Sequence, residues 1–313
     1  MQFFPVNNRF SKHNSQSSPR ASTIKLLALL VLVAMPVISA VVVVIGNPAH
    51  AQQEAKRELV LVRGNLYRFI NNHHAGIVYV TRDGIIVGDP INNEAAKWLK
   101  DELAQRFGVP VKYVFYSHHH ADHASGGEVF ADSGAVIVAH KKAAELLRDN
   151  NIATAAPQVL FDKLLTLELG GKQVNLHYLG ANHSEDMIVA EFPEEEAVFA
   201  VDFVSVERLP YRNLSGGKFP DWYTSIDALT RLPFTYLVPG HGKVGIKNDA
   251  VEHARYLREL ENRVARAIDA GLTLEEMKKT LKFPRYSGWQ NYEEWLPENI
   301  EGAFRIQKET AAN

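Results

Sequence analysis

The sequence predicts a chain of mixed α and β structure. Two observations predict it. Apolar runs of strand length recur, rich in Val and Ile and separated by turn residues. Between them lie longer segments whose apolar residues recur at helical spacing and whose ends carry capping residues. No internal repeat and no low-complexity stretch interrupts the region after the first fifty residues.

The elements follow in order. Leu59 to Val62 and Leu66 to Ile70 read as strands. Gly76 to Thr81 turns through Arg82-Asp83-Gly84 into Ile85-Ile86-Val87, a hairpin pattern. Asn92 to Phe107 is helical: Asn92 or Asn93 caps it, Ala96, Leu99, Leu103 and Phe107 share a face, and Gly108 ends it. Val111 to Tyr116 is a buried strand, Val136 to Val138 another, and Lys141 to Arg148 a helix. Strands are expected near 158–169, 172–179, 186–192 and 197–203, a helix near 221–232, and a strand ending at Val238. Beyond His241 the chain is mostly helical. Val251 to Ala270 stops at Gly271, and Thr273 with Glu276 forms a capping box. Lys278, Lys279 and Lys282 read as a solvated face near a helix end.

Several of these strands end in polar residues of one kind. After Tyr116 comes Ser117-His118-His119-His120-Ala121-Asp122-His123. Gathering four imidazoles and a carboxylate lowers stability unless something satisfies them, and a bound cation does that best. Imidazole nitrogen with carboxylate oxygen suits zinc. A solvated His-rich loop is the plainer alternative. Three further segments answer the motif: Gly180-Ala181-Asn182-His183-Ser184-Glu185-Asp186, Asp202 after Ala197–Val201, and Pro239-Gly240-His241-Gly242 after Tyr236–Val238. Loops at strand ends carry function on a rigid scaffold.

On these residues the chain resembles the metallo-β-lactamase superfamily of binuclear metallohydrolases, over about residues 58 to 245. The resemblance implies a four-layer αβ/βα sandwich, with two sheets face to face and helices outside. It implies two zinc ions per chain. His118, His120 and His183 resemble the first metal site. Asp122, His123 and His241 resemble the second, and Asp202 resembles the carboxylate that bridges both. His119 occupies a variable position and is not assigned as a ligand. Asp89, in Ile85-Ile86-Val87-Gly88-Asp89-Pro90, resembles the early aspartate that supports the metal loop; a turn-forming Asp before Pro is the other reading.

The implied chemistry is hydrolysis. Two cations roughly 3.5–4 Å apart can share one hydroxide, a nucleophile at neutral pH without Ser or Cys. Asp122 is the catalytic candidate, orienting the hydroxide and accepting its proton. Two zinc ions, two carboxylates and a hydroxide leave a formal charge of about +1, which suits an anionic group or a developing oxyanion. His120 stands where oxygen-reducing diiron relatives place an acid, which argues against redox chemistry. Asp202 resembles the bridge of the thioesterase, lactonase, phosphodiesterase and glyoxalase II branches, whereas authentic β-lactamases generally lack it. The expected substrate is a small molecule, anionic or carbonyl-bearing, with an ester, thioester or lactone bond. β-Lactam amide hydrolysis, an iron-dependent redox protein and a non-enzymatic metal-binding accessory protein are the alternatives. Asn71-Asn72-His73-His74 and Tyr211-Arg212 are candidate substrate contacts, or else a polar hairpin tip and a rim. His140, His177, Trp222 and Tyr223 read as packing residues.

The first 51 residues read as a signal peptide. Arg9, Lys12, Arg20 and Lys25 precede the apolar run Leu26–Ile45, and Ala49-His50-Ala51 suits signal peptidase. An uncleaved anchor facing outward is the alternative, since the run is long enough to span a bilayer. The expected product, residues 52–313, is a single hydrolase domain with a helical C-terminal part, periplasmic or secreted, touching membrane only if the leader stays. Removing four basic residues from 34 leaves 30 Lys and Arg against 36 Asp and Glu, a net −6. That charge speaks against a nucleic-acid partner, because non-specific binding rests on phosphate neutralisation. There is no Cys, which excludes a lipoprotein anchor and disulfides. The sequence leaves the oligomeric state open.

Overall fold

The structure, a computed structural model, describes residues 55–312. The expected leader and its cleavage after Ala51 lie outside the described residues. The chain opens with β1 (Arg57–Arg63), β2 (Leu66–Asn71), β3 (His74–Thr81) and β4 (Gly84–Gly88), an antiparallel meander. Helix α1 (Asn93–Phe107) then crosses over to β5 (Val111–Phe115). Two short helices, α2 (Ala121–Ala124) and α3 (Glu128–Ala131), lead to β6 (Val136–His140), α4 (Lys141–Asp149) and β7 (Val159–Phe161). From β4 to β7 the pairing is parallel, and the seven strands lie in chain order in one sheet.

The second sheet holds β8 (Leu164–Leu169), β9 (Lys172–Tyr178), β10 (Ile188–Phe192), β11 (Ala197–Ala200), β12 (Tyr236–Val238) and β13 (Gly245–Ile246). Helix α5 (Phe219–Arg231) lies in the crossover between β11 and β12, which pair in parallel. Helices α6 (Lys247–Asp269), α7 (Leu274–Thr280) and α8 (Tyr292–Ala312) follow.

Period-two alternation explains the layering, because successive strand residues face opposite sides of a sheet. Ile77, Ile86 and Phe115 of the first sheet meet Ile188, Phe199 and Val238 of the second in one buried cluster between the sheets. Their neighbours Val78, Val87 and Val114 face outward onto Leu99, Leu103 and Leu147 of α1 and α4. On the far side, Val189 and Val198 pack on Trp222, Leu257, Leu260 and Ile300 of α5, α6 and α8. Helices thus cover both outer faces, and the architecture is the αβ/βα sandwich.

The expected helix α1 stands as read, with Asn92 Oδ1 accepting from Ala95 N at 2.9 Å and Gly108 closing it at φ 65°. The Thr273–Glu276 capping box is present too. Two strands differ from expectation. The run near 158–169 is two strands in two sheets, because the chain changes sheet at Asp162-Lys163, where Lys141 Nζ holds Asp162 Oδ1 at 2.7 Å. The run near 197–203 stops at Ala200, because Asp202 takes a left-handed φ of 27° that no strand allows.

Candidate metal centre

Each candidate ligand stands just past a strand end on the same rim of the sandwich. His118 and His120 follow β5, and α2 at once delivers Asp122 and His123. His183 lies between β9 and β10, Asp202 follows β11, and His241 follows β12. The rim is where parallel strands present their carboxyl ends, the usual place for a site in an open α/β sheet.

Buried supports fix the rings. Asp89, fully buried and at φ 55°, accepts from Ser117 N at 2.7 Å and from Ser117 Oγ at 2.6 Å. Its second oxygen also lies 3.0 Å from His123 Nδ1, so His123 is held with Nε2 toward the centre. Ser117 Oγ lies 3.0 Å from His118 Nδ1 and aims that ring in the same way. His241 Nδ1 is 2.9 Å from the His73 carbonyl, so it donates there and leaves Nε2 free. His119 turns aside, its N and Nδ1 at 2.7 and 3.0 Å from the carboxylate of Asp186. That matches its exclusion from the ligand set.

The freed atoms converge on Asp202. Its Oδ2 lies 3.5 Å from His118 Nε2, 3.7 Å from His183 Nε2 and 3.3 Å from His123 Nε2. Its Oδ1 lies 3.2 Å from His241 Nε2. His120 Nδ1 is 3.2 Å from His183 Nε2, and Asp122 Oδ2 is 3.7 Å from His123 Nε2. All seven residues expected from the sequence are therefore brought together, with Asp202 between the two trios. Their donor atoms form groups within 4.8 Å of one another: His118, His120, His183 and Asp202 in one, and His123, Asp202 and His241 in another.

Electrostatics fit a cation. Burial pushes His118 and His183 below the ordinary imidazole range, and His120 down to about 4, which keeps these nitrogens neutral and able to ligate. Burial also works to lower His123, but the carboxylates of Asp202 and Asp89 outweigh it and raise the ring. Asp202 and Asp122 stay well below the usual carboxylate range despite burial, Asp202 through His123 and His241, Asp122 through His74 and His123. His118 Nε2 and Asp202 Oδ1 are buried without any hydrogen bond. Unsatisfied buried polar atoms are costly, and a metal ion satisfies both.

The centre opens into a cavity of about 1160 Å³. The tip singled out from the sequence as a candidate substrate contact faces it through Asn72, His73 and His74, and His74 joins Asp122 and His241 in a third group of candidate ligands. Sequence reasoning did not single out Arg208. Arg208 lines the cavity with its guanidinium 4.5 Å from the ring centre of Trp295, and among the described residues no carboxylate pairs with it. Nothing in the sequence separates Arg208 from Arg212; only the fold shows Arg212 turned to Glu298 at 3.5 Å. Tyr211 does line the cavity. His140 caps α4 and stacks on Tyr178, His177 pairs with Glu191 at 2.8 Å, and Trp222 is core, its Nε1 donating to Phe203 O at 2.7 Å.

Comparison with known proteins agrees with this geometry. The family model described as metallo-beta-lactamase superfamily matches residues 77–241. A metallo-beta-lactamase type 2 of Elizabethkingia meningoseptica is 27% identical over 208 residues, 63% of this chain and 83% of that one. One of Bacillus sp. (strain 170) is 30% identical over 178 residues, 55% of this chain and 68% of that one. Among solved structures, a metallo-beta-lactamase from Pontibacter korlensis shares the fold with a TM-score of 0.59 at 21% identity, over 65% of this chain and 99% of that one.

Proposed function

The chain belongs to the metallo-beta-lactamase superfamily, and on that premise we propose that it is an exported, two-zinc hydrolase of an ester, thioester or lactone bond. The observation that carries the reading is the sharing of one carboxylate, Asp202, by two groups of candidate ligands, His118, His120 and His183 in one and His123 and His241 in the other, at a wide cavity. Zinc held there would supply a Lewis acid for the scissile carbonyl and water acidified toward a pKa of about 7. Asp122, half-exposed on the cavity side and kept ionised, orients the attacking water and takes its proton. Asp89 faces His123 Nδ1 and so holds that imidazole with Nε2 toward the centre. Arg208, without an acidic partner among the described residues and backed by Trp295, suits a carboxylate on the substrate.

The names of the relatives favour a second reading, β-lactam amide hydrolysis. The acid at position 202 argues for the first, since a bridging carboxylate resembles the ester-type branches.

Metal analysis of protein purified without added metal tests the proposal, together with Asp202→Ala. Two zinc ions in the wild type are expected. The variant should lose the second ion and about 10²-fold or more in rate, the scale of losing a direct ligand. Iron with a visible absorbance would favour redox chemistry. Two bound ions with no turnover of lactones, thioesters, phosphodiesters or cephalosporins would favour an accessory role.

A further inference from the structure

The tip of the β2–β3 hairpin reaches the candidate metal centre. Asn71 and His74 are paired across the hairpin, and Ala75 N donates to Gly240 O at 2.8 Å, which ties the start of β3 to the Pro239–Gly242 loop. Two contacts follow from that tie. The His73 carbonyl receives the Nδ1 proton of His241 at 2.9 Å. The side chain of His74 turns into the cavity, its Nε2 3.3 Å from Asp122 Oδ2 and its ring centre 4.9 Å from that of His241. Asp122 otherwise stands on a four-residue helix whose N-cap makes no side-chain hydrogen bond, with its carboxylate half-exposed. Among the described residues His74 is the neighbour from another element that reaches this carboxylate at hydrogen-bonding distance, His241 Nε2 standing farther off at 4.0 Å.

We propose that His74 is the positioning residue of the second metal site: its Nε2–H holds the Asp122 carboxylate, while the adjacent His73 carbonyl holds His241, so that one hairpin tip sets two of the site's ligands. The inference rests on the two-metal reading above. It does not require His74 to touch the ion. Partners that orient ligands typically contribute about 10–100-fold in metal affinity. A peptide carbonyl contact, such as that of His73, is insensitive to side-chain substitution, so His74 is the half of the device that mutation can reach.

The test compares wild type, His74→Phe and His74→Gln as full mature chains loaded with cobalt. Phe keeps a ring of similar size and loses the donor; Gln keeps an N–H donor. The readouts are the affinity of each of the two cobalt ions by competition with a chromophoric chelator, the visible cobalt absorbance, and the thermal midpoint. His74→Phe should weaken the second ion by about 10–100-fold, leave the first unchanged and keep the wild-type melting behaviour, while His74→Gln restores most of the loss. The unchanged first site serves as an internal control for folding. Two ions bound by His74→Phe as tightly as by wild type would overturn the role of His74 and leave the two-metal reading standing. Equal loss in Phe and Gln, with wild-type absorbance typical of higher coordination, would make the imidazole a direct ligand and overturn the positioning role. A single ion in wild type would instead sink the two-metal reading, and this inference with it.

Discussion

His253 is a buried imidazole that the fold keeps neutral. It lies on α6 with no exposure, its Nδ1 accepts from Ser205 N at 3.3 Å, and its Nε2 has no partner among the described residues. Burial, with the nearby charge of Arg208 acting in the same direction, lowers its pKa to about 3. The contact matters because Ser205 belongs to the segment running from Asp202 to Arg208. An unfolded histidine takes its proton near pH 6.5, whereas this one resists until about 3. Between those values the unfolded chain binds more protons, so this group leaves stability untouched above about pH 6.5 and erodes it as pH falls toward 3. The slope it contributes is at most about 1.4 kcal/mol per pH unit. In His253→Gln, which keeps an acceptor for Ser205 N, the decline of unfolding free energy from pH 6.5 to 4.5 should be shallower by up to that amount. Urea unfolding with a chelator present checks it, so that metal does not mask the titration. Parallel slopes for the two proteins would refute the account.

At the scale of elements, the site depends on loops packed against one another with little slack. Gly240 shows how little: a Cβ there would lie 2.3 Å from Val201 Cγ1, 2.8 Å from His123 Cε1 and 3.3 Å from Asp202 Oδ1. The Pro239–Gly242 loop therefore presses its backbone against Asp202 and the His123 ring. Gly240→Ala should destabilise by about 1–3 kcal/mol through overpacking, a fall in melting temperature of a few degrees for a chain of this size. It should weaken metal binding as well, since His123 must move; calorimetry beside a metal titration measures both, and a variant that melts early but binds metal normally would show that the loop yields instead of the ring. The same loops explain what sequence could carry. Ligands such as His118 and His241 were legible because each follows an apolar run that ends in a polar cluster. The helix α1 was legible because Asn92 and Gly108 mark both of its ends. The pairing of His74 with Asp122 was not, because the two lie 48 positions apart and a His in a hairpin tip looks the same whether it faces water, a substrate or a carboxylate. The sheet change at Asp162-Lys163 was hidden for a similar reason: two polar residues between apolar runs fit a turn within one sheet as well as a passage between two.

For the molecule as a whole, net charge bears on the substrate class proposed above. Without residues 1–51 the chain carries a net −6, so a polyanion gains nothing from the general surface. Among the described residues no helix is long and apolar enough to cross a membrane. Arg208 lines the same cavity as the candidate ligands that would hold cations. A cavity of about 1160 Å³ admits a small molecule with room to spare. On the proposed reading such a site would stabilise the oxyanion that forms when water adds to a carbonyl, and Arg208 would meet a carboxylate at a second point. A phosphodiester would meet the same metal pair, and in-line displacement there is chemically sound. The distinction is energetic, and one protein preparation decides it. The ratio of kcat/KM for a simple lactone or thioester to that for a phosphodiester should favour the carbonyl substrate. A carboxylate-bearing lactone should do better than its neutral counterpart by a margin that shrinks as salt is raised, because part of the attraction is screened. A phosphodiester preferred by about 10-fold or more, about 1.4 kcal/mol in transition-state binding, would overturn the substrate class while leaving the metal centre as described.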